Sequence, residues 1–212
     1  DTGLSKQTVS LAISELERLS YVEATSIHQG KTGRAATVYS IARKTGWTLG
    51  IDLGSTHASI AASSLEGVAL GGARRSIIHA PNVANADMVN EVNSLIDDLY
   101  NELTESYGPL RASCIALSRG VDRDTATKPF HDFSTEFGQI RNQINLAAET
   151  PVYFENNVNC AALGELRRGC ARSVKSAVYL QVGVGLAAGI IIDGHLLHGL
   201  NGQAGELRLL ST

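Results

Sequence analysis

The sequence predicts an α/β fold that is preceded by a short segment containing one helix and one β-hairpin. Two observations carry this prediction. The pattern changes near Trp47, where a polar segment gives way to an apolar run that enters a glycine-containing turn at residues 49–56. From Trp47 onward, runs typical of buried strands alternate with stretches of helical periodicity, and such alternation is typical of a sheet covered by helices.

The composition is that of an ordinary globular protein. The 212 residues are 43% hydrophobic and 18% charged, which lies within the usual range. The sequence holds no run of 18 apolar residues and opens on no basic-then-apolar leader, so we expect no membrane partner and no secretion. Three cysteines lack metal-type spacing and are expected to be reduced, buried thiols of a cytoplasmic protein: Cys114, Cys160 and Cys170.

Charge is distributed unevenly along the chain. Residues 1–46 hold six basic and four acidic side chains, for a net charge of +2, whereas the remaining residues carry −5 of the total of −3. A mildly basic head on an acidic body suits a DNA-binding module attached to a second domain. A difference of two charges can also arise by chance.

Residues 5–19 have the pattern of one amphipathic helix, with Ser5 as a good N-cap and apolar residues at helical spacing on one face. A helix that reads DNA in the major groove carries short polar and amide side chains near its N-terminus. An ordinary solvated helix face explains the same pattern equally well. The predicted DNA contacts of this helix are Ser5, Lys6, Gln7, Thr8 and Ser10.

Two strand patterns follow, at residues 21–27 and 36–41, and the loop between them contains glycines and the cations Lys31 and Arg34. A helix followed by a basic-tipped hairpin is the winged helix-turn-helix arrangement, in which both cations are expected near phosphates or the minor groove. A plain hairpin turn is the alternative. Residues 1–44 are therefore predicted to be a partial winged helix-turn-helix, since no supporting helices precede this helix in the sequence.

The remaining residues are assigned to strands and helices by their apolar spacing. The predicted strands are 47–53, 58–63, 68–78, 112–117, 152–155, 177–182, 188–192 and 195–198. The predicted helices are 87–107, 137–148 and 159–168.

Four short motifs after Trp47 resemble those of one protein family. Residues 52–56 (Asp-Leu-Gly-Ser-Thr) resemble a first phosphate loop, Asp-x-Gly-Gly-Thr, and residues 182–189 resemble a second, Gly-Thr-Gly-Ile-Gly-x-Gly. Residues 154–159 resemble Glu-Asn-Asp-x-Asn, and residues 202–206 resemble Gly-x-x-Gly-Glu. Together they resemble the ROK family of repressors, open reading frames and kinases, which has an actin-like sugar-kinase fold.

The resemblance implies a ROK domain at residues 45–212, with a first lobe at about 47–156 and an incomplete second lobe at about 157–212. It also implies roles for individual residues. Sugar contacts are expected at Asn156, Asn157 and Glu206. Degenerate phosphate loops are expected at Asp52, Gly54, Ser55, Thr56, Gly183 and Gly185.

Three departures from the family pattern bear on catalysis. A sugar kinase needs a carboxylate to accept the proton of the attacking hydroxyl, and the matching position is the amide Asn157. Ser55, Val184 and Ala187 stand where the loops of the family have glycine, threonine and glycine. Small residues are needed there because the backbone must approach an anion closely. Leu209 stands where the family has a zinc-binding histidine. We therefore predict no catalytic residue, no bound metal and no cofactor.

A winged helix-turn-helix ahead of a ROK domain resembles the repressor branch of the family, the regulators of xylose and N-acetylglucosamine genes. The resemblance implies a sugar-responsive transcriptional regulator that binds operator DNA as a homodimer or homotetramer. Its sugar or sugar phosphate effector is expected to bind weakly or not at all. A residual carbohydrate kinase and a non-sensing dimerisation scaffold are the alternatives. The chain is interpreted as incomplete at both ends, because the family pattern extends beyond each.

Overall fold

The computed structural model describes residues 3–28, 36–54, 57–76, 86–129 and 135–207. These residues form a two-stranded, a five-stranded and a three-stranded sheet together with their helices. Within these ranges no helix combines the length and the apolar character needed to cross a membrane.

A helix and a two-stranded sheet form the N-terminal part of the chain. They are α1 (Lys6–Arg18) and the antiparallel strands β1 (Val22–His28) and β2 (Ala36–Ile41). Ser5 Oγ accepts a hydrogen bond from Thr8 N at 3.1 Å, which confirms the predicted N-cap. The helix and both strands are confirmed, whereas the predicted contacts Lys31 and Arg34 lie outside the described residues.

The largest sheet is mixed. Its strands are β3 (Trp47–Leu53), β4 (His57–Ser64), β5 (Ala69–Ser76), β6 (Leu110–Leu117) and β7 (Val152–Asn156). Their order is β5-β4-β3-β6-β7, with antiparallel pairs on the β5 side of β3 and parallel pairs on the β7 side. The carboxyl ends of β3, β6 and β7 therefore meet at one edge, where Leu53, Leu117 and Asn156 lie side by side.

One face of this sheet is buried under the long helix α2 (Ala86–Tyr107). Leu49, Ile51 and Leu53 of β3 are at most 2% exposed, because alternate residues of a strand face the same side. The rest of this core includes Met88, Val92, Leu95, Ile96, Ile115, Leu117 and Phe154. The intervening position, Asp52, therefore belongs to the opposite face.

The third sheet is antiparallel and follows the helix α5 (Asn157–Arg168). Its strands are β8 (Ala177–Val182), β9 (Leu186–Ile192) and β10 (His195–Leu196), in the order β10-β9-β8. The helix α5 starts directly after β7 and packs against β8 and β9. This packing is close, since a Cβ added to Gly189 of β9 would lie 2.5 Å from Ala162 Cβ.

Two short helices, α3 (Arg123–Thr127) and α4 (Glu136–Gln143), lie between β6 and β7 in the sequence. The prediction of a helix through residue 148 is wrong, because α4 ends at Gln143. Beyond this end, backbone carbonyl oxygens accept hydrogen bonds from a side chain instead of from the backbone of a longer helix. Arg141 Nη2 donates to Leu146 O at 3.3 Å and Ala147 O at 2.8 Å. The segment after Gln143, whose apolar spacing suggested a longer helix, therefore forms a turn.

A short linker, residues 42–46, connects the N-terminal part to β3. Its centre, Thr45, is 8% exposed and is held from both sides. The Thr45 hydroxyl donates to the backbone oxygens of Ser20 and Tyr21, each at 3.2 Å. On the other side, Arg111 Nε donates to Thr45 O at 2.6 Å. The linker is therefore tied to both the N-terminal part and β6.

The end of α2 makes a second contact with the linker. The Arg43 guanidinium lies 4.6 Å from the centre of the Tyr107 ring, within the range of a cation–π interaction. Next to it, Gly108 has φ +86° and lies against the backbone of Lys44. Only glycine adopts this conformation readily, and a side chain would also meet the Lys44 carbonyl oxygen.

One strand presents apolar side chains to solvent. Val178, Leu180 and Val182 of β8 are 65%, 55% and 78% exposed. They alternate along the strand and so lie on one face of the three-stranded sheet. Strand β8 also forms an edge of that sheet among the described residues.

Candidate functional site

The candidate site lies at the edge where the parallel strands β3, β6 and β7 end. In open α/β sheets, ligands bind outside the carboxyl ends of the strands. Here that edge carries Asp52 on β3, the loop after β6 and Asn156 at the end of β7. The first phosphate loop and the sugar motif predicted from the sequence therefore come from neighbouring parts of one edge.

Asn156 is 8% exposed, and its side chain makes hydrogen bonds to several elements at this edge. Its Oδ1 accepts hydrogen bonds from Val158 N at 2.8 Å and Asn159 N at 3.2 Å, so it is the N-cap of α5. Its Nδ2 donates to Arg119 O at 2.9 Å and to Glu206 Oε1 at 3.4 Å. Asn156 thus fixes α5 and Glu206 relative to each other, while its own role in sugar contact stays a prediction.

Two of the predicted sugar residues, Asn156 and Glu206, are brought together although they are 50 positions apart. Asn157 follows Asn156 as the first residue of α5 and is half-buried, as is Glu206. The side-chain amide of Asn157 can donate and accept hydrogen bonds but cannot take up a proton at neutral pH. The arrangement can therefore hold a hydroxylated ligand but offers no general base at this position.

Next to Asn156 lies a buried histidine–carboxylate pair that the sequence analysis did not predict. His198 Nε2 lies 2.8 Å from Glu155 Oε2, and both residues are less than 10% exposed. The other oxygen, Oε1, accepts from Asn156 N at 2.7 Å and Asn159 Nδ2 at 2.9 Å. Both carboxylate oxygens of Glu155 are therefore used to fix β7, α5 and the segment before Glu206.

The loop after β6 is held by Arg119. Its guanidinium forms an ion pair with Glu136 at the start of α4 and lies 5.3 Å from the centre of the Phe137 ring. The hydrogen bond from Arg119 holds the pKa of the Glu136 carboxyl below its usual value. Since Arg119 O also accepts from Asn156, this loop is fixed on both sides.

The segment predicted to be the first phosphate loop lies against a side chain of the protein. His57 Nε2 lies 2.9 Å from Asp52 Oδ2, and a Cβ added to Gly54 would lie 2.6 Å from His57 Cε1. The imidazole therefore covers the backbone that an anion would approach in such a loop. Ser55 and Thr56 lie outside the described residues. The sequence analysis did not predict this contact, although His57 directly follows the motif at residues 52–56.

The segment predicted to be the second phosphate loop forms the tight turn between β8 and β9. Gly183 N donates to Gly185 O at 3.0 Å, so this backbone donor is used within the turn. Both glycines are exposed, and Val184 between them is 83% exposed. The turn is open to solvent, and a Cβ added to either glycine would meet no atom within 4 Å beyond its chain neighbours.

The ROK family profile matches residues 48–208 of this chain. The chain belongs to the ROK family. It is 26% identical to the xylose repressor of Bacillus subtilis (strain 168) over 207 residues, which cover 97% of this chain and 53% of the relative. The chain thus spans about half the length of the curated relatives it matches.

Two solved structures are similar to this ROK chain. One is a ROK family transcriptional regulator, a homologue of the E.coli MLC protein, with a TM-score of 0.67 and 22% identity over 96% of this chain and 51% of that one. The other is the ROK glucokinase of Streptomyces griseus in complex with glucose and AMPPNP, with a TM-score of 0.58 and 24% identity over 76% and 49%. At these identities the likeness shows the fold, and the predicted actin-like ROK fold is confirmed.

Among the described residues, no three His, Cys, Asp or Glu side chains are placed to share a metal ion, and the absence of a bound metal stays a prediction. Leu209 lies outside the described residues. Cys114 on β6 and Cys160 on α5 are half-buried and hydrogen-bonded to each other, which lowers the pKa of Cys114 and raises that of Cys160. The prediction that Cys170 is buried is wrong, because it is exposed.

Proposed function

We propose that this chain is part of a sugar-responsive, DNA-binding transcriptional regulator of repressor type, whose ROK domain no longer acts as a kinase. The observation that carries the proposal is the similarity to a xylose repressor over 97% of this chain, which includes the N-terminal helix and hairpin as well as the ROK domain. A kinase would need the ROK domain alone. The regulator is proposed to act in the cytoplasm as a homodimer or homotetramer.

The start of α1 supports the DNA-binding half of the proposal. Lys6, Gln7 and Ser10 are exposed at the N-terminal end of a helix, where side chains reach base edges in the major groove. Ser5 and Thr8 are engaged with each other as the helix cap, with 2.8 Å between their hydroxyl oxygens. Gln7 is therefore the side chain best suited to read a base, because its amide can make two hydrogen bonds to adenine.

In the regulator that contains this chain, Gln7→Ala is expected to reduce the discrimination between operator and mismatched DNA by about 1–3 kcal/mol. Arg34→Ala is expected to weaken binding to all sequences and to flatten its salt dependence, because a phosphate contact is lost. Gel-shift titrations at several salt concentrations measure both effects. Ser14→Ala, two turns further along the same helix, is the matched control. Unchanged binding in both variants would refute the DNA contacts assigned here.

The linker supports coupling between the two halves. An effector that binds one arrangement of the ROK domain more tightly than another shifts the population between them. Thr45 is hydrogen-bonded to the N-terminal part through its hydroxyl and to Arg111 of β6 through its carbonyl. A shift of β6 would therefore be passed to the DNA-binding part and would change the spacing of the two heads in a dimer.

The edge formed by Asn156, Asn157 and Glu206 is the proposed effector site. Because Asn156 is largely engaged within the protein, we expect sugars or sugar phosphates to bind with high-micromolar or weaker affinity, about −5 kcal/mol. Glu206→Gln is expected to weaken binding about tenfold by removing a charged acceptor, as measured by calorimetry with a sugar panel. Glu149→Gln, an exposed carboxylate outside the site, is the control. Sub-micromolar affinity, or affinity that Glu206→Gln leaves intact, would count against this site.

A residual carbohydrate kinase is the second candidate, favoured by the fold shared with the glucokinase. The amide at Asn157 and the imidazole of His57 over Gly54 argue against it, since they affect the base and the phosphate loop independently. Sugar-dependent ATP hydrolysis by the unmodified protein would decide for the kinase. A third candidate, a dimerisation scaffold without a sensing role, would show no sugar binding in the calorimetric panel.

A further inference from the structure

A cavity lies between α2 and the turn that follows α4. Its volume is about 770 Å³, and its polar lining residues are Asp97, Tyr100, Asn101, Arg141, Asn142 and Asn145. Small-molecule sites usually occupy about 300–1,000 Å³ and contain a few convergent polar groups. The cavity has the size and the lining of a ligand site, and none of these residues belongs to the site described above.

Arg141 is the unusual residue of this cavity, because it is 6% exposed and has no carboxylate partner among the residues that the structure describes. The ion pairs among the described residues involve other groups. Its hydrogen bonds run from Nη2 to the carbonyl oxygens of Leu146 and Ala147. Nε and Nη1 have no acceptor within the described ranges and are not among the fully buried polar atoms, so their N–H groups are accessible to water or to a ligand. Burial also lowers the pKa of the guanidinium, although arginine stays charged.

A buried cation without a counter-ion is costly, and proteins normally pair such a charge or bind an anion to it. Two neutral carbonyl groups use one of the three guanidinium nitrogens of Arg141 and leave its charge uncompensated. The turn that supplies these carbonyls is itself held by α2, because Asn93 Nδ2 donates to Gln143 O and Asn93 Oδ1 accepts from Asn145 N, each at 2.8 Å. The guanidinium is therefore held in a fixed position beside the cavity.

The other polar residues of the cavity indicate which class of ligand it could bind. Asp97 lines the same cavity but does not approach Arg141 within ion-pair distance, so the two opposite charges leave room between them. A carboxylate accepts hydrogen bonds from hydroxyl groups, and the neighbouring asparagine amides can both donate and accept. We propose that this cavity is a second ligand site, for a small hydroxylated organic anion whose oxyanion binds Arg141 and whose hydroxyl groups donate to Asp97. The proposal does not depend on the proposed regulatory function.

Binding can be tested on the purified chain with four probes: gluconate, glucose 6-phosphate, inorganic phosphate and uncharged glucose. We expect gluconate or glucose 6-phosphate to bind in calorimetry and glucose to bind at least about tenfold more weakly, since it lacks the charge. The response of gluconate compared with glucose 6-phosphate distinguishes a carboxylate from a phosphate ligand. Hydrogen-exchange mass spectrometry is expected to show protection at 97–101 and 141–148. Failure of all three anions to bind, or protection confined to 155–159 and 202–206, would overturn the proposal.

Two substitutions test the assigned roles. Arg141→Gln keeps an amide donor for the two carbonyls but removes the charge, and it is expected to weaken anion binding at least about tenfold. Arg123→Gln, an exposed arginine on α3, is the matched control. Asp97 is exposed, so Asp97→Asn leaves the fold intact even if Arg141→Gln does not. Asp97→Asn is expected to weaken the hydroxylated anions but not inorganic phosphate, and equal effects on both would refute the role given to Asp97.

Discussion

Replacing Gly108 with alanine is expected to lower the free energy of unfolding of this chain by about 2–4 kcal/mol. Gly108 has φ +86°, where an L-residue is strained, and its added methyl group would meet the carbonyl oxygen of Lys44 in the linker. Relief would require the linker to move away from the end of α2. Urea denaturation of the purified variant measures the loss.

Gly164→Ala is the matched control for this experiment. Gly164 lies within α5, and a Cβ added there meets no atom within 4 Å. Alanine is favoured over glycine within a helix, so this substitution is expected to stabilise the chain by about 0.5–1 kcal/mol. A Gly108→Ala variant as stable as the unmodified chain would contradict the strain assigned to Gly108.

Replacing Glu155 with alanine is expected to cost about 3–5 kcal/mol of stability. The substitution leaves buried His198 without its partner and removes the acceptor of Asn156 N and Asn159 Nδ2. An unpaired buried polar group costs more than the hydrogen bond itself contributes. The loss is measured by urea denaturation, together with His198→Ala and the double variant. A non-zero coupling energy between the two residues is expected.

Glu149→Ala removes an exposed carboxylate close to β7 and serves as the control, with an expected change within about 0.5 kcal/mol. Glu155→Gln is expected to lose less stability than Glu155→Ala, because its amide oxygen can still accept from Asn156 N or Asn159 Nδ2. An alanine variant as stable as the unmodified chain would contradict the assignment of Glu155 as a buried structural centre.

The elements that the sequence predicted best are those whose pattern is set by one contact surface. Strand β3 carries large apolar side chains at alternate positions because one of its faces lies on the core, and its observed bounds, Trp47–Leu53, are those predicted. Helix α2 carries its apolar residues at helical spacing because one side covers that sheet. The motifs around Asp52 and Asn156 were found because residues adjacent in sequence remain adjacent in the site.

The remaining features depend on residues that are distant in sequence. His198 and Glu155 are 43 positions apart, and no local pattern pairs them. The end of α4 was missed because its apolar spacing continues through Ile144, whereas Arg141 and Asn93 stabilise a turn instead. The capping role of Asn156 could have been predicted, since asparagine before a helix is a common N-cap. The DNA and sugar contacts stay predictions.

Strand β8 has a consequence for handling the protein. An exposed edge strand with apolar side chains can pair with the same strand of another molecule, and such pairing leads to aggregation. Val178, Leu180 and Val182 provide that surface. We therefore expect this strand to lower the colloidal stability of the purified chain. A single lysine in place of Leu180 would act as a gatekeeper against intermolecular pairing.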